Sequence, residues 1–306
     1  MIYFFLFLFG VGIGSFLNVV SLRYLPDGGQ VPKGGRLLDL GVIGGRSHCR
    51  HCRTQLRWYE LVPLVSFCVL RGRCRTCHAG LLWQYPIVEL LSGLIFVAVP
   101  YHVMNYELGI MNYGNITQFS DFSFYQYLFI GCWILVFELF LLLSVIDFRL
   151  YVIPNQINVL LGILGVAITF LASRLGLFGE FYGSFTGHYA AIFGFRENIW
   201  FNHIFAAALG VFLFWLIIFF TRGRGMGWGD LKLIAPIGLL FGWPDTMLII
   251  MLSFVVGSVF VMPLLIRKTK HMKDEVPFGP FIIIATTLVF FLGYQIMKGY
   301  FTLFAI

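Results

Sequence analysis

Long apolar runs recur along this chain and constrain it more than any other feature. About 20 consecutive apolar residues suffice to cross a bilayer as a helix. Eight stretches approach or exceed that length or read as part of the same pattern: 1–22, 86–104, 124–146, 155–177, 199–221, 231–243, 246–266 and 280–298. The sixth is short and is interrupted by Pro236, Gly238, Gly242 and Pro244, which suits a broken or tilted helix buried among others. The first lacks a basic start and a small-x-small cleavage site, so it reads as a retained span. Composition agrees: the 306 residues are 59% hydrophobic and 11% charged, against about 25% charged in a soluble domain. A soluble enzyme with one buried helix is excluded, and the expected fold is an all-α polytopic membrane protein.

The basic residues orient the spans. An alternating path places 23–85, 147–154, 222–232 and 267–279 on one side, with 18 of the 21 Lys and Arg. Only Arg174, Arg196 and Lys298 fall on the other side. The positive-inside rule makes the first side cytoplasmic and sends both termini outward. The net charge of +7 would suggest nucleic acid in a soluble protein. Here the stretch from Arg23 to Pro86 carries ten basic residues against Asp27, Asp39 and Glu60, and topology together with anionic membrane lipid accounts for them. No nucleic-acid partner is expected. No convincing internal repeat is visible.

That basic insert contains S-H-C-R-H-C-R-T and R-G-R-C-R-T-C-H. Cys49 and Cys52 form one C-x-x-C pair, Cys74 and Cys77 another, with twenty-one residues between the pairs. Two thiolates three positions apart can take adjacent corners of a tetrahedron, and a second pair closes the shell. A structural zinc site is the natural reading. His48, His51 and His78 stand beside the pairs as alternative ligands, and free thiols, disulfides, a redox pair or a nucleic-acid zinc ribbon are the competing readings. Cys68 and Cys132 read as small core residues without a role.

Acids at the edge of hydrocarbon call for a reason. Asp147 ends L-L-L-S-V-I-D near a helix C-terminus, where the macrodipole disfavours an anion. A pairing with Arg149 is the plain alternative. Asp230 ends G-M-G-W-G-D and precedes the short sixth run, where capping a helix is the plain alternative. Gly225, Gly227 and Gly229 alternate before it, which permits sharp turns or close approach of an extended peptide. Both acids fall on the same face of the membrane map. Two adjoining carboxylates share a proton, so one can activate water while the other protonates a carbonyl oxygen. Neither G-x-S-x-G nor H-E-x-x-H occurs. Glu138 lies nine residues before Asp147, half a turn away in angle, and reads as a buried hydrogen-bonded acid on the opposite side of the same helix. Glu60, Glu89, Asp274 and Glu275 are candidate acidic contacts for a basic ligand.

These motifs together resemble the bacterial type IV prepilin peptidases. G-S-F-L-N-V-V-S-L-R-Y-L-P at 14–26 is similar to the family's first signature, and Cys49 through Y-P-I-V-E-L at 85–90 to its cysteine domain. I-D-F-R-L-Y-V-I-P at 146–154 and G-M-G-W-G-D-L-K-L at 225–233 resemble its two acidic motifs, the second of the G-x-G-D type. V-P-F-G-P-F at 276–281 resembles its last segment. Gln84 stands where the family commonly has Arg, and Arg50 where it usually has Pro.

The resemblance implies catalysis by Asp147 and Asp230 and zinc on Cys49, Cys52, Cys74 and Cys77. It implies prepilins or pseudopilins of type IV pilus or type II secretion systems as substrates, cut at the cytoplasmic face of the bacterial inner membrane. N-methylation of the new terminus from S-adenosylmethionine would follow. The expected organisation is a first span at 1–23, a cytoplasmic zinc-binding insert at 24–85 and a peptidase bundle at 86–306, with about eight transmembrane helices in all. A proton-coupled transporter and a non-catalytic secretion-assembly scaffold are the competing functions. The transporter predicts acids near mid-membrane and repeated halves, and the scaffold leaves two complete acidic motifs without a purpose.

Overall fold

The structure is a computed structural model that describes residues 1–24, 45–107, 123–178, 183–193, 197–223, 226–266 and 276–303. Gly225, Asp27, Asp39, Arg196, Asp274, Glu275 and the basic run 267–273 lie outside the described residues.

The described residues form nine α-helices: α1 (Ile2–Arg23), α2 (Val65–Val69), α3 (Gln84–His102), α4 (Phe124–Leu150), α5 (Asn155–Arg174), α6 (Ile199–Thr221), α7 (Trp228–Phe241), α8 (Asp245–Ile266) and α9 (Gly279–Leu303). Their only strand-like pairing is two isolated bridges, His48 to Gln55 and Arg73 to Gly80. Seven helices among the described residues are long and apolar enough to cross a membrane: α1, α3, α4, α5, α6, α8 and α9. The expected short segment is α7, a continuous helix of 14 residues with Pro236 inside it. It rises only about 21 Å at 1.5 Å per residue. Asp230, Leu233, Ile234, Ile237, Leu240 and Phe241 on it are all buried, so neighbouring helices cover its backbone instead of lipid.

The chain divides into two compact units. The first comprises Met1–Tyr101 and Phe137–Ile146. Lipid tails are as apolar as Leu, so helices in a membrane associate through small residues and polar bonds more than through hydrophobicity. Gly10 and Gly14 follow that rule on α1. A Cβ on Gly14 would stand 2.8 Å from Ser92 Cβ, and one on Gly10 2.8 Å from the Ser92 carbonyl oxygen. The close approach brings polar groups into reach. Asn18 donates to the Tyr85 carbonyl oxygen at 3.1 Å, and Gln84 Nε2 lies 3.4 Å from both Asn18 Oδ1 and Ser21 Oγ. Ser92 Oγ lies 2.6 Å from the Gly10 carbonyl oxygen and 3.0 Å from each carboxylate oxygen of Glu138. Glu138 is buried, as its sequence position suggested.

The insert is pinned within this unit by two acids. Glu60 accepts from the Arg57 amide at 2.7 Å and meets Arg75 Nε at 3.2 Å. Glu89 on α3 accepts from the Leu64 amide at 2.7 Å and from the Ser15 side chain. Both were candidate contacts for a ligand, and both are buried against the protein's own groups. Cys68 departs from the expected core position and is exposed on α2, a five-residue surface helix none of whose residues is buried. Cys132 is half-buried in α4.

The second unit comprises His102–Val136 and Asp147–Ile306. Here α7 packs mainly on α5 and α6, and α8 packs on α9. Trp133, Phe185, Phe241 and Phe290 form its aromatic centre, with Trp133 and Phe290 centroids 4.9 Å apart. The C-terminal end of α7 is held by polar groups of α6. Asn202 donates to the Trp243 carbonyl oxygen and accepts from the Trp243 amide, both at 2.9 Å. His203 Nδ1 lies 2.7 Å from the Leu239 carbonyl oxygen. Asp245, fully buried at the start of α8, accepts from Ser184 Oγ at 2.8 Å and the Phe185 amide at 3.1 Å. With its far end fixed, α7 presents Asp230 from a rigid element.

Candidate active site and cysteine cluster

Asp147 lies in the last turn of α4, just before Tyr151 closes the helix in the left-handed conformation at φ 55°. The Tyr151 amide bonds the Asp147 carbonyl oxygen at 2.9 Å. The chain then runs through Ile153 and Pro154 into α5. Asp230 lies in the first turn of α7. Gly227, and not Asp230, caps that helix, and the Asp230 carboxylate accepts from the Gly227 amide at 3.2 Å.

The Asp147 carboxylate accepts from the Gly279 amide, the first residue of α9. Each acid therefore meets the amino end of a helix, where free amides and the macrodipole favour negative charge. The side chain of Ile153 stands between the two supports. A Cβ on Gly229 would lie 3.3 Å from Ile153 Cβ, and one on Gly279 would lie 3.2 Å from Ile153 Cδ1. Asp147 is 4% exposed and Asp230 8%, and the charge of Asp147 bears on Asp230. The two acidic motifs thus approach one another within the second unit. Gly227 has ordinary extended dihedrals, φ −81° and ψ 152°. The glycines described here serve close approach, at Gly229 and Gly279, and not unusual backbone angles. Lys232 Nζ donates to Asn155 Oδ1 at 3.1 Å and joins the starts of α7 and α5.

Sequence reasoning left the V-P-F-G-P-F segment without a role. The structure brings its glycine to Asp147. The available signal was that segment's Gly-Pro pair opening an apolar run, which marks a helix start and hence free amides.

In the insert, Cys49, Cys52, Cys74 and Cys77 bring their sulfurs within 4.8 Å of one another. Cys49 and Cys77 sulfurs are 3.8 Å apart, and Cys52 and Cys74 sulfurs 4.0 Å apart. A tetrahedral tetrathiolate site with zinc–sulfur bonds of about 2.3 Å has edges of about 3.8 Å, so the quartet fits the ion. The four thiols are free. The neighbouring histidines do not belong to the cluster.

The two halves share one backbone plan. The Cys49 amide bonds the Thr54 carbonyl oxygen, and the Cys74 amide bonds the Ala79 carbonyl oxygen, both at 2.9 Å. Arg53 and His78 take matching left-handed angles, φ 56° and 54°. This eight-residue correspondence is too short to register as a repeat in composition. Hydrogen bonds from the Thr54 hydroxyl and amide hold the Cys52 thiol down at about 6, and amides of Cys77 and Thr76 lower Cys74. The Ala79 amide acts the same way on Cys77, but burial and the three neighbouring sulfurs outweigh it and push that thiol up to about 11.

Residues 133–262 match the model of the type IV leader peptidase family, and residues 8–103 match the bacterial peptidase A24 N-terminal domain. The chain belongs to the type IV leader peptidase family. Both acidic motifs fall inside the first match, and all four clustered cysteines inside the second. A protein of Aeromonas hydrophila named prepilin leader peptidase/N-methyltransferase is 29% identical over 314 residues, covering 97% of this chain and 93% of its own. One of the same name from Pseudomonas aeruginosa is 29% identical over 304 residues, covering 96% and 91%. A Myxococcus xanthus protein of that name is 46% identical over 94 residues, 31% of this chain and 24% of its own. No solved structure matches significantly.

Proposed function

We propose that this family member is a membrane aspartyl endopeptidase that removes the leader from type IV prepilins or pseudopilins, with Asp147 and Asp230 as its catalytic pair. The observation that carries the reading is the convergence of two buried carboxylates, each taking one backbone amide from a glycine. One carboxylate takes a proton from water, and the water oxygen attacks the scissile carbonyl carbon. The other carboxyl gives its proton to the carbonyl oxygen. Collapse of the resulting diol breaks the C–N bond, and the amine leaves with a proton from the pair. The Gly279 and Gly227 amides keep both side chains oriented through this exchange. Relatives named leader peptidase/N-methyltransferase support methylation of the new terminus from S-adenosylmethionine, and no residue is assigned to that step.

Zinc on Cys49, Cys52, Cys74 and Cys77 supplies structure: it ties the two halves of the insert together. The weight of basic residues supports a position for the insert and both aspartates at the cytoplasmic face of a bacterial inner membrane. The test is incubation of purified protein with a prepilin and mass measurement of the product. Asp147→Asn or Asp230→Asn should each abolish cleavage while the protein still inserts. Cleavage at the unmodified rate by either variant removes that residue from the mechanism.

A further inference from the structure

The cysteine insert carries an apolar face that its fold does not bury. Val65 is 57% exposed and Val69 74%, both on α2, with Cys68 exposed beside them. Positions 65, 68 and 69 share one side of a helix. Trp83, the residue before α3, is 73% exposed, and its ring lies 5.3 Å from that of Phe67 on the other side of α2. Scattered apolar residues need no explanation, but four within one short element and its neighbour do.

The height of this face is set by two links to a membrane span. Chain continuity joins Trp83 to Gln84, where α3 begins. The Leu64 amide, at the start of α2, bonds Glu89 five residues into α3. Five residues of helix rise about 7.5 Å. The span from Gln84 to Asn105 has 22 residues, or about 33 Å, close to the roughly 30 Å of bilayer hydrocarbon. Its first two turns therefore lie at the boundary between hydrocarbon and headgroups, and α2 lies beside them. Arg71 and Arg73, both exposed, follow α2 directly. Valines and a tryptophan next to arginines at that depth match the layered chemistry of an interface, apolar inward and anionic phosphate outward.

We propose that α2 and Trp83 form an interfacial foot that seats the cysteine insert in the bilayer surface, with Val65, Val69 and Trp83 among the upper acyl chains and Arg71 and Arg73 on anionic phospholipid headgroups. The foot fixes the height of the insert above the membrane. It rests on the reading of α3 as a membrane span and is independent of which side the insert occupies.

The full-length protein would be reconstituted in phosphatidylethanolamine vesicles with or without phosphatidylglycerol. These would contain a phospholipid bearing a photoactivatable group near the headgroup. Peptide mapping should find label on the 62–73 segment and on Trp83, severalfold stronger with phosphatidylglycerol. Val65→Glu with Val69→Glu should cut that labelling severalfold while peptides of α6 stay labelled. Arg71→Gln with Arg73→Gln should remove the gain from phosphatidylglycerol. An unlabelled 62–73 segment beside labelled α6 overturns the proposal, and so does labelling indifferent to phosphatidylglycerol. Loss of label on adding a prepilin assigns the face to substrate and also overturns it. Cleavage at the unmodified rate by an aspartate variant would sink the proposed catalytic pair and leave these labelling results unaffected, so the two readings fail separately.

Discussion

A Cβ on Gly279 would stand 2.6 Å from Oδ2 of Asp147, the carboxylate that accepts from the Gly279 amide. No side chain fits there unless the carboxylate moves. Gly279→Ala should therefore misplace Asp147 while leaving it ionisable. A displacement of about 1 Å in a catalytic group costs about 100-fold in rate. The loss should appear in prepilin cleavage measured by mass, with helix content unchanged by circular dichroism. Gly162→Ala on α5, where a Cβ meets nothing within 4 Å, is the matched control and should cleave normally.

Metal content tests the cysteine quartet. Purified protein should hold about one zinc per chain, as four-thiolate coordination requires. Replacing Cys49 and Cys52 with Ser should remove it and loosen the insert, with cleavage impaired less than any methylation. Unchanged zinc by elemental analysis would falsify the four-cysteine assignment.

Thr54 is expected to influence how zinc binding at the cysteine quartet responds to acid. Its hydroxyl and amide lower Cys52 to about 6, and the thiolate is the form that binds metal. Thr54→Val removes the hydroxyl bond, raises the thiol and lets protons compete at higher pH. Zinc release on acidification, followed with a chromogenic chelator, should shift to higher pH in the variant. A shift to lower pH would contradict the hydrogen-bond account.

Glu89→Ala should leave the Leu64 amide without its acceptor. Leu64 is half-buried, so water can replace part of the bond and the cost should fall toward the lower end of the about 1–3 kcal/mol of an unsatisfied buried donor. Hydrogen exchange should accelerate across 62–70, while exchange in α6 stays as in the parent protein. Uniform acceleration throughout the chain would instead indicate general misfolding.

Ser92→Ala tests the buried polar contact inside the first unit. Ser92 Oγ lies 3.0 Å from each Glu138 carboxylate oxygen. Removing it should destabilise by about 1–3 kcal/mol, read as a lower melting temperature in detergent. Ser92→Thr keeps the hydroxyl and should recover part of the loss.

Much of the architecture was legible because hydrophobic length and helix geometry are local properties. The runs at 1–22, 124–146 and 199–221 correspond to α1, α4 and α6 within a few residues. The continuation of α4 to Leu150 was not legible, since Asp147 and Arg149 look like an end, yet Asp147 lies inside the last turn. The cysteine quartet followed from spacing. Glu89 was read as an acidic contact for a basic ligand, because its actual partners, Leu64 and Ser15, come from two other segments. Gly279 was missed as a partner of Asp147 for the same reason: the sequence marks a helix start but cannot say which carboxylate will face it. Asp245 drew no notice, although it is fully buried and bonded to a loop sixty residues earlier.

The bond from Leu64 to Glu89 has a consequence for how the protein is made. Translation delivers Cys77 twelve residues before Glu89, counting 77 to 89. The thiol quartet is therefore complete while the acceptor for Leu64 is still inside the ribosome. The four thiols leave the ribosome ahead of Glu89, and the bond that docks the insert on α3 is the later of the two to become available.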